Sequence, residues 1–182
     1  MDEGERIGNL LGALALAVDE TVRAAATEAA GHGGAAAAAI TTLAQYPGES
    51  LERLHRTLGV TPSAIVRLAD RLQADGLIER RRRDGDGRAI ELHPTDAGQQ
   101  RAAAILTARQ QALARVLAPL TEADRTAVAA ILERLLTGLT TTSDVGDQTC
   151  RLCNLRACPQ SRCPVSQEQT RLGAPPTDPS PV

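Results

Sequence analysis

The chain has 182 residues with 20 arginines, no lysine and 22 acidic side chains, a formal charge of −2, and Tyr46 as its lone aromatic residue. Its longest uncharged stretch, residues 29–47, is mostly Ala and Gly and too weakly apolar to cross a bilayer. The first six residues bring three acids before their one arginine, which argues against a secretory signal, so a cytoplasmic, mainly helical protein is expected.

Ile7, Leu10, Leu11, Leu14, Val18 and Val22 recur at helical spacing, predicting an amphipathic helix over residues 6–30 that breaks at Gly31-His32-Gly33-Gly34. An alanine-rich helix follows over 35–45, closed by Pro47-Gly48, and a short one over 49–58 ends at Gly59. Thr61-Pro62 starts a fourth helix, because a threonine N-cap accepts an orphan amide and proline costs nothing at the first helical position. That helix reaches about Asp75, with Gly76 at its end. Residues 77–82 and 88–93 read as a hairpin around Asp84-Gly85-Asp86-Gly87. Thr95 caps a long helix to Leu117, and Thr121 caps another to about Leu139. Beyond lie a cysteine cluster and a Pro-rich end expected to be disordered.

Charge is unevenly placed along this order. From Arg53 to Arg88 nine arginines face five acids, a local +4 within an otherwise acidic chain, which is the footprint of a polyanion site. On the fourth helix, Ile65, Leu68, Ala69 and Leu72 share one face, while Ser63, Val66, Arg67 and Asp70 lie opposite with Arg71 at the edge. Such a helix suits the major groove, with Arg67 forking onto a guanine and Thr61, Ser63 and the helix N-terminus holding phosphate. Arg83, Asp86 and Arg88 at the hairpin tip are placed to reach a minor groove.

Residues 50–98 carry Leu51…Leu54…Leu58-Gly59-Val60-Thr61-Pro62-Ser63, Leu68-Ala69-Asp70-Arg71-Leu72, Asp75-Gly76-Leu77-Ile78-Glu79-Arg80, Asp86-Gly87-Arg88 and Thr95-Asp96-Ala97-Gly98. In these the chain resembles the MarR family of bacterial transcription regulators. The resemblance implies a winged helix-turn-helix with a helical dimerisation domain, a homodimer reading a palindromic operator, Arg88 as the wing-tip arginine and Asp86 as the acid ordering the wing. The division expected is an N-terminal dimerisation helix at 6–34, the winged domain at 35–94 and C-terminal dimerisation helices at 95–140. A cysteine-rich segment at 141–166 and a disordered tail at 167–182 complete it. The leucine surplus of the flanking helices also favours pairing, since apolar area left wet is costly.

Cys150-x2-Cys153-x4-Cys158-x4-Cys163 lies outside that resemblance. Four thiolates within fourteen residues suit one tetrahedral zinc ion, and the spacing resembles a zinc knuckle with cysteine in place of its histidine. An iron–sulfur cluster and redox-active thiols without metal are the alternatives. Arg151, Arg156 and Arg162 are expected to lower the thiol pKa values. His32, His55 and His93 are scattered, and neither a phosphate loop nor a nucleophile elbow occurs, so no enzyme is expected. The function expected is a sequence-specific double-stranded DNA-binding regulator, a homodimeric repressor answering a small ligand, a metal or a redox signal. The alternative is a protein–protein adaptor whose winged domain no longer binds DNA.

Overall fold

The computed structural model describes residues 2–83 and 86–174, with backbone alone for 86–88. The elements run α1 (Glu3–Ala30), α2 (Ala36–Gln45), α3 (Leu51–Leu58), α4 (Pro62–Ala74), β1 (Ile78–Arg83), β2 (Asp86–Pro94), α5 (Asp96–Leu117), α6 (Glu122–Leu139), α7 (Ser143–Cys150) and α8 (Pro164–Arg171), with a 3-10 turn at Gln160–Arg162. This is a mainly helical chain with one antiparallel hairpin, as the pattern of apolar spacing and turn residues predicts. Ser50, Thr61, Thr95, Thr121 and Thr142 each cap a following helix by accepting a backbone N–H. Thr121 and Asp124 complete a reciprocal capping box at the start of α6.

The core is one cluster organised around α2, whose residues 36–44 are all buried. A helix apolar all round belongs inside a fold. This explains why residues 35–39 carry no polar side chain. The end of α1 (Ala26, Ala30), α3 (Leu54, Leu58), α4 (Ile65, Leu68, Ala69, Leu72), the hairpin (Ile78, Leu92) and α5 (Ala102, Ile105) close around it. With so many alanines the helices approach closely, and Leu and Ile fill the spaces that remain.

Two backbone details hold the winged unit together. Leu92 pairs with Glu49 through an isolated bridge, fixing the chain before α3 to the second wing strand. Gly98 presses against the residue that leads into β1: a Cβ there would stand 2.0 Å from the Leu77 carbonyl oxygen. That close approach, with the Thr95 hydroxyl donating to Gly76 O at 2.6 Å, is the physical content of the Thr-Asp-Ala-Gly motif.

The strands differ from the expected 77–82 and 88–93 by extending closer to the tip, where the register breaks between Arg82 and Arg83. Residues 84 and 85 of the predicted turn lie outside the described residues. The larger correction concerns the C-terminus. Residues 143–150 and 164–171 form helices, so the disorder expected from 167 onward fails through Arg171. Val165, 1% exposed, and Cys163, 7% exposed, anchor this segment against the body of the protein. Residues 175–182 lie outside the described residues.

Candidate nucleic-acid interface and cysteine pocket

The sharp turn Gly59-Val60-Thr61 sets α4 against α3. Gly59 sits at φ 63°, a left-handed conformation that favours glycine, and its N–H bonds back to the Arg56 carbonyl. Ile65, Leu68, Ala69 and Leu72 are buried beneath α4, whereas Ser63, Val66, Arg67, Asp70 and Arg71 are exposed on the far side. Thr61 Oγ1 accepts the Ala64 N–H at 3.3 Å and lies 3.3 Å from Ser63 Oγ, leaving two hydroxyls at the helix N-terminus.

The wing arginines divide by their partners. Arg80 pairs with Asp70 at 2.7 Å and also hydrogen-bonds Gln73. Arg81 pairs with Glu79, and Arg83 Nε donates to Glu91 Oε1 at 2.7 Å. Glu91 also meets His93 at 3.2 Å, and the two partners, Arg83 first, hold its carboxyl below the usual carboxylate range. Arg67, Arg71 and Arg82 are exposed and form no ion pair with the described residues. Their charge is therefore left for an outside anion. Arg82 is the residue that reading the sequence missed: within a run of four arginines, only the acids opposite reveal which guanidinium is left over. Arg83 stays on the wing but is engaged. The side chains of Asp86 and Arg88 lie outside the described residues. Each histidine has a carboxylate neighbour, His32 with Asp75, His55 with Glu52 and His93 with Glu91, all within 3.3 Å.

The four cysteines converge. All are free thiols, and all line one cavity of about 60 Å³ together with Tyr46, Arg53 and Asp147. A tight turn brings the Cys153 N–H to the Cys150 carbonyl at 2.8 Å, and the 3-10 turn delivers Cys163 to the start of α8. The Cys150 thiol hydrogen-bonds those of Cys153 and Cys163, which pushes its own pKa upward. Cys163 is lowered to about 5, first by the Cys150 bond and then by the backbone and hydroxyl of Ser166 and the Val165 N–H. Cys153 falls to about 7 through Cys150 and the Arg109 charge, while burial lifts Cys158 to about 11. The arginine that acts here is thus Arg109 of α5, not the expected Arg151, Arg156 or Arg162. As the side chains are posed, no three His, Cys, Asp or Glu groups among the described residues surround a common point at metal-holding geometry.

This pocket is tied to the winged unit. Arg53 of α3 pairs with Asp147 of α7 at 2.9 Å, and Gln148 donates to the Arg56 carbonyl at 3.0 Å. Gln45 of α2 donates to the Cys153 carbonyl at 3.1 Å and accepts the Leu155 N–H at 3.0 Å. Gln160 reaches the Tyr46 hydroxyl at 2.8 Å. No helix among the described residues is long and apolar enough to cross a membrane.

Residues 36–90 match the model of the MarR family. The HTH-type transcriptional repressor MdtR of Bacillus subtilis (strain 168) is 31% identical over 96 residues, which are 53% of this chain and 62% of the repressor's length. The crystal structure of the YusO protein of Bacillus subtilis superposes with a TM-score of 0.60 at 28% identity, covering 72% of this chain and 92% of that one. A MarR-family protein of Mycobacterium tuberculosis, solved in complex with DNA, superposes with a TM-score of 0.58 at 27% identity, covering 70% of this chain and 95% of that one. The first of these is a transcriptional repressor by name, and the third is a MarR-family protein seen on DNA. With its buried-back α4, its hairpin wing and these matches, the chain carries a MarR-family domain over residues 36–90 and is similar to winged helix-turn-helix proteins of that family.

Proposed function

We propose that the protein is a homodimeric, sequence-specific double-stranded DNA-binding repressor that docks α4 in successive major grooves of a palindromic operator. The observation that carries this is α4 itself: its apolar side is sealed into the core while Arg67 and Arg71 remain exposed and unneutralised. Arg82 of the wing adds a third such charge, as phosphate or minor-groove contact requires. The DNA complex of the M. tuberculosis relative supports the same reading.

Pairing rests on the apolar faces of α1 and α6. Ile7, Leu10, Leu11 and Leu14 stand 49–56% exposed, and Ile131, Leu132, Leu135 and Leu139 stand 41–67% exposed, with no buried residue anywhere in α6. Contiguous apolar stripes of this kind mark association surfaces, and a two-fold pair sets recognition helices one DNA turn apart, ~34 Å. A cleft of about 780 Å³ between α2, α5 and residues 154–156, lined by Ala44, Ala102, Ala103, Leu106 and Leu155, has the size and apolar character of a small-effector site. Expression in the cytoplasm follows from this reading.

The test is selection from a pool of random duplexes by the purified protein, with its mass measured in solution. Enrichment of a palindrome whose half-sites are one turn apart, bound by a dimer, supports the proposal. A monomer that enriches no sequence refutes it and favours the adaptor reading.

A further inference from the structure

We infer that Cys150, Cys153, Cys158 and Cys163 together hold one zinc ion, and that this ion clamps the α7–α8 segment onto α3 of the helix-turn-helix. Nothing about a winged helix requires the site; it lies in a segment beyond the family's matched residues.

Three observations support it. First, four separate places in the chain bring all four thiols to one small cavity: the end of α7, a tight turn, a loop, and the residue before α8. Second, the cavity that the four thiols share is small, about 60 Å³. Around a tetrahedral ion with Zn–S of about 2.3 Å, neighbouring sulfurs stand ~3.8 Å apart, the separation of touching sulfurs. Small side-chain rotations would let the metal replace the thiol protons, which pass to solvent. A cubane cluster instead props its sulfurs apart on an inorganic core, so a cavity this small favours the mononuclear centre. Third, Arg109 Nε is buried and has no hydrogen-bond partner among the described residues, although its guanidinium acts on Cys153 and Cys158. A buried guanidinium N–H left without a partner is costly, and a zinc tetrathiolate beside half-buried Arg109 carries two negative charges that would attract it.

The clamp follows from what the segment touches. Between residues 143 and 171 the described apolar anchors are few, chiefly Leu152, Cys163 and Val165. Two eight-residue helices are marginal alone, so metal bonds supply the order their own packing does not. Once ordered, the segment presents Asp147 to Arg53 and Gln148 to the Arg56 carbonyl, beside the turn that aims α4. Loss of zinc frees these contacts. The site itself stands without the DNA-binding reading; the clamp's effect on DNA rests on it.

The experiment uses the full chain. Zinc is assayed by elemental analysis, the protein is exchanged into cobalt(II), and affinity is measured for the duplex that it selects from a random pool. Measurements are made before and after treatment with a zinc chelator, with circular dichroism following the fold. The expected result is one zinc per chain and tetrathiolate sulfur-to-cobalt charge transfer. Chelation is expected to weaken duplex affinity at least tenfold while the α1–α6 helical signal persists, with readdition of zinc restoring it. Asp147→Asn should keep the zinc and lose part of the affinity. Cys158→Ser should lose the four-sulfur spectrum, and chelation of the wild-type protein serves if that variant fails to fold. Iron with inorganic sulfide, or four thiols that titrate freely in metal-replete protein, would overturn the zinc site. Zinc removal that leaves affinity unchanged would overturn the clamp. Zinc held by a protein that binds no duplex at all would defeat the DNA reading and the clamp, leaving the metal site standing.

Discussion

Arg80 of the wing and Asp70 of α4 meet at 2.7 Å, tying β1 to α4 by a bond that crosses the exposed face of the helix. The bond neutralises the one acid on the exposed face of α4 and fixes the angle between helix and hairpin. Both groups remain partly wet, so the pair adds little to stability. A double-mutant cycle of Arg80→Ala and Asp70→Ala is expected to give a coupling of about 0.2–1 kcal/mol in urea unfolding. Specific DNA binding should fall more than stability does, because the wing loses its fixed setting.

Arg82 and Arg83 are adjacent, yet differ in consequence. Arg82→Ala is expected to weaken binding to all duplexes and to reduce the slope of log affinity against log salt by about 0.9, one phosphate contact. Arg83, committed to Glu91, should change the slope less on substitution with alanine. Titrations between about 50 and 200 mM salt measure both slopes. An Arg83→Ala change larger than that of Arg82→Ala would reverse this assignment.

Gly98→Ala tests the packing of α5 on the wing. The added carbon meets the Leu77 carbonyl at 2.0 Å, a backbone atom with no rotamer to yield. A loss of about 3 kcal/mol is expected, the upper end for overpacking, with Tm lowered by roughly 6–12 °C. Calorimetry checks it, and an unchanged Tm would contradict this packing.

The stripes of α1 and α6 make a prediction about mass. Leu14→Glu and Leu135→Glu each put a charge into the proposed interface while removing nothing from the core, since both leucines are exposed within the chain. Each is expected to yield a folded monomer by light scattering, with normal helical content and DNA affinity reduced to that of a single half-site. A dimer surviving both substitutions would place the interface elsewhere.

Asp124 gives the acid response a defined sign. The Thr121 hydroxyl and then its backbone N–H hold the Asp124 carboxyl below its ordinary value. A carboxylate lowered in the folded state stabilises at pH values above its unfolded pKa, about 3.9, and that contribution is lost as pH falls through the folded pKa. Asp124→Asn should therefore lower Tm at neutral pH and leave the two proteins converging below about pH 4. Parallel curves down to pH 2 would contradict the capping box.

Much of this fold was legible because local signals agreed with one another. Thr61-Pro62 and Gly76 bracket α4, and the alternation of Leu68, Ala69 and Leu72 with Arg67, Asp70 and Arg71 gives its two faces. The α7–α8 segment was not legible. Each of its helices is eight residues long with a single buried apolar anchor or none, too short for periodicity to show. Its order depends on contacts from distant residues such as Gln45, Arg53 and Tyr46, and Arg109 joins the thiols from a helix some forty residues earlier in the chain. Sequence spacing reveals that four cysteines belong together. Only the fold shows which distant residues surround them. The same limit hid Arg82, whose freedom is defined by the pairing of Arg80, Arg81 and Arg83 with acids elsewhere.

The central claim is that α4 reads base sequence through Arg67. The most direct measurement compares wild-type and Arg67→Ala protein on the selected duplex and on a scrambled duplex of equal length and base content. The account predicts a loss of about 5- to 150-fold on the selected duplex, with little change on the scrambled one. Equal losses on both, or none on either, would contradict it.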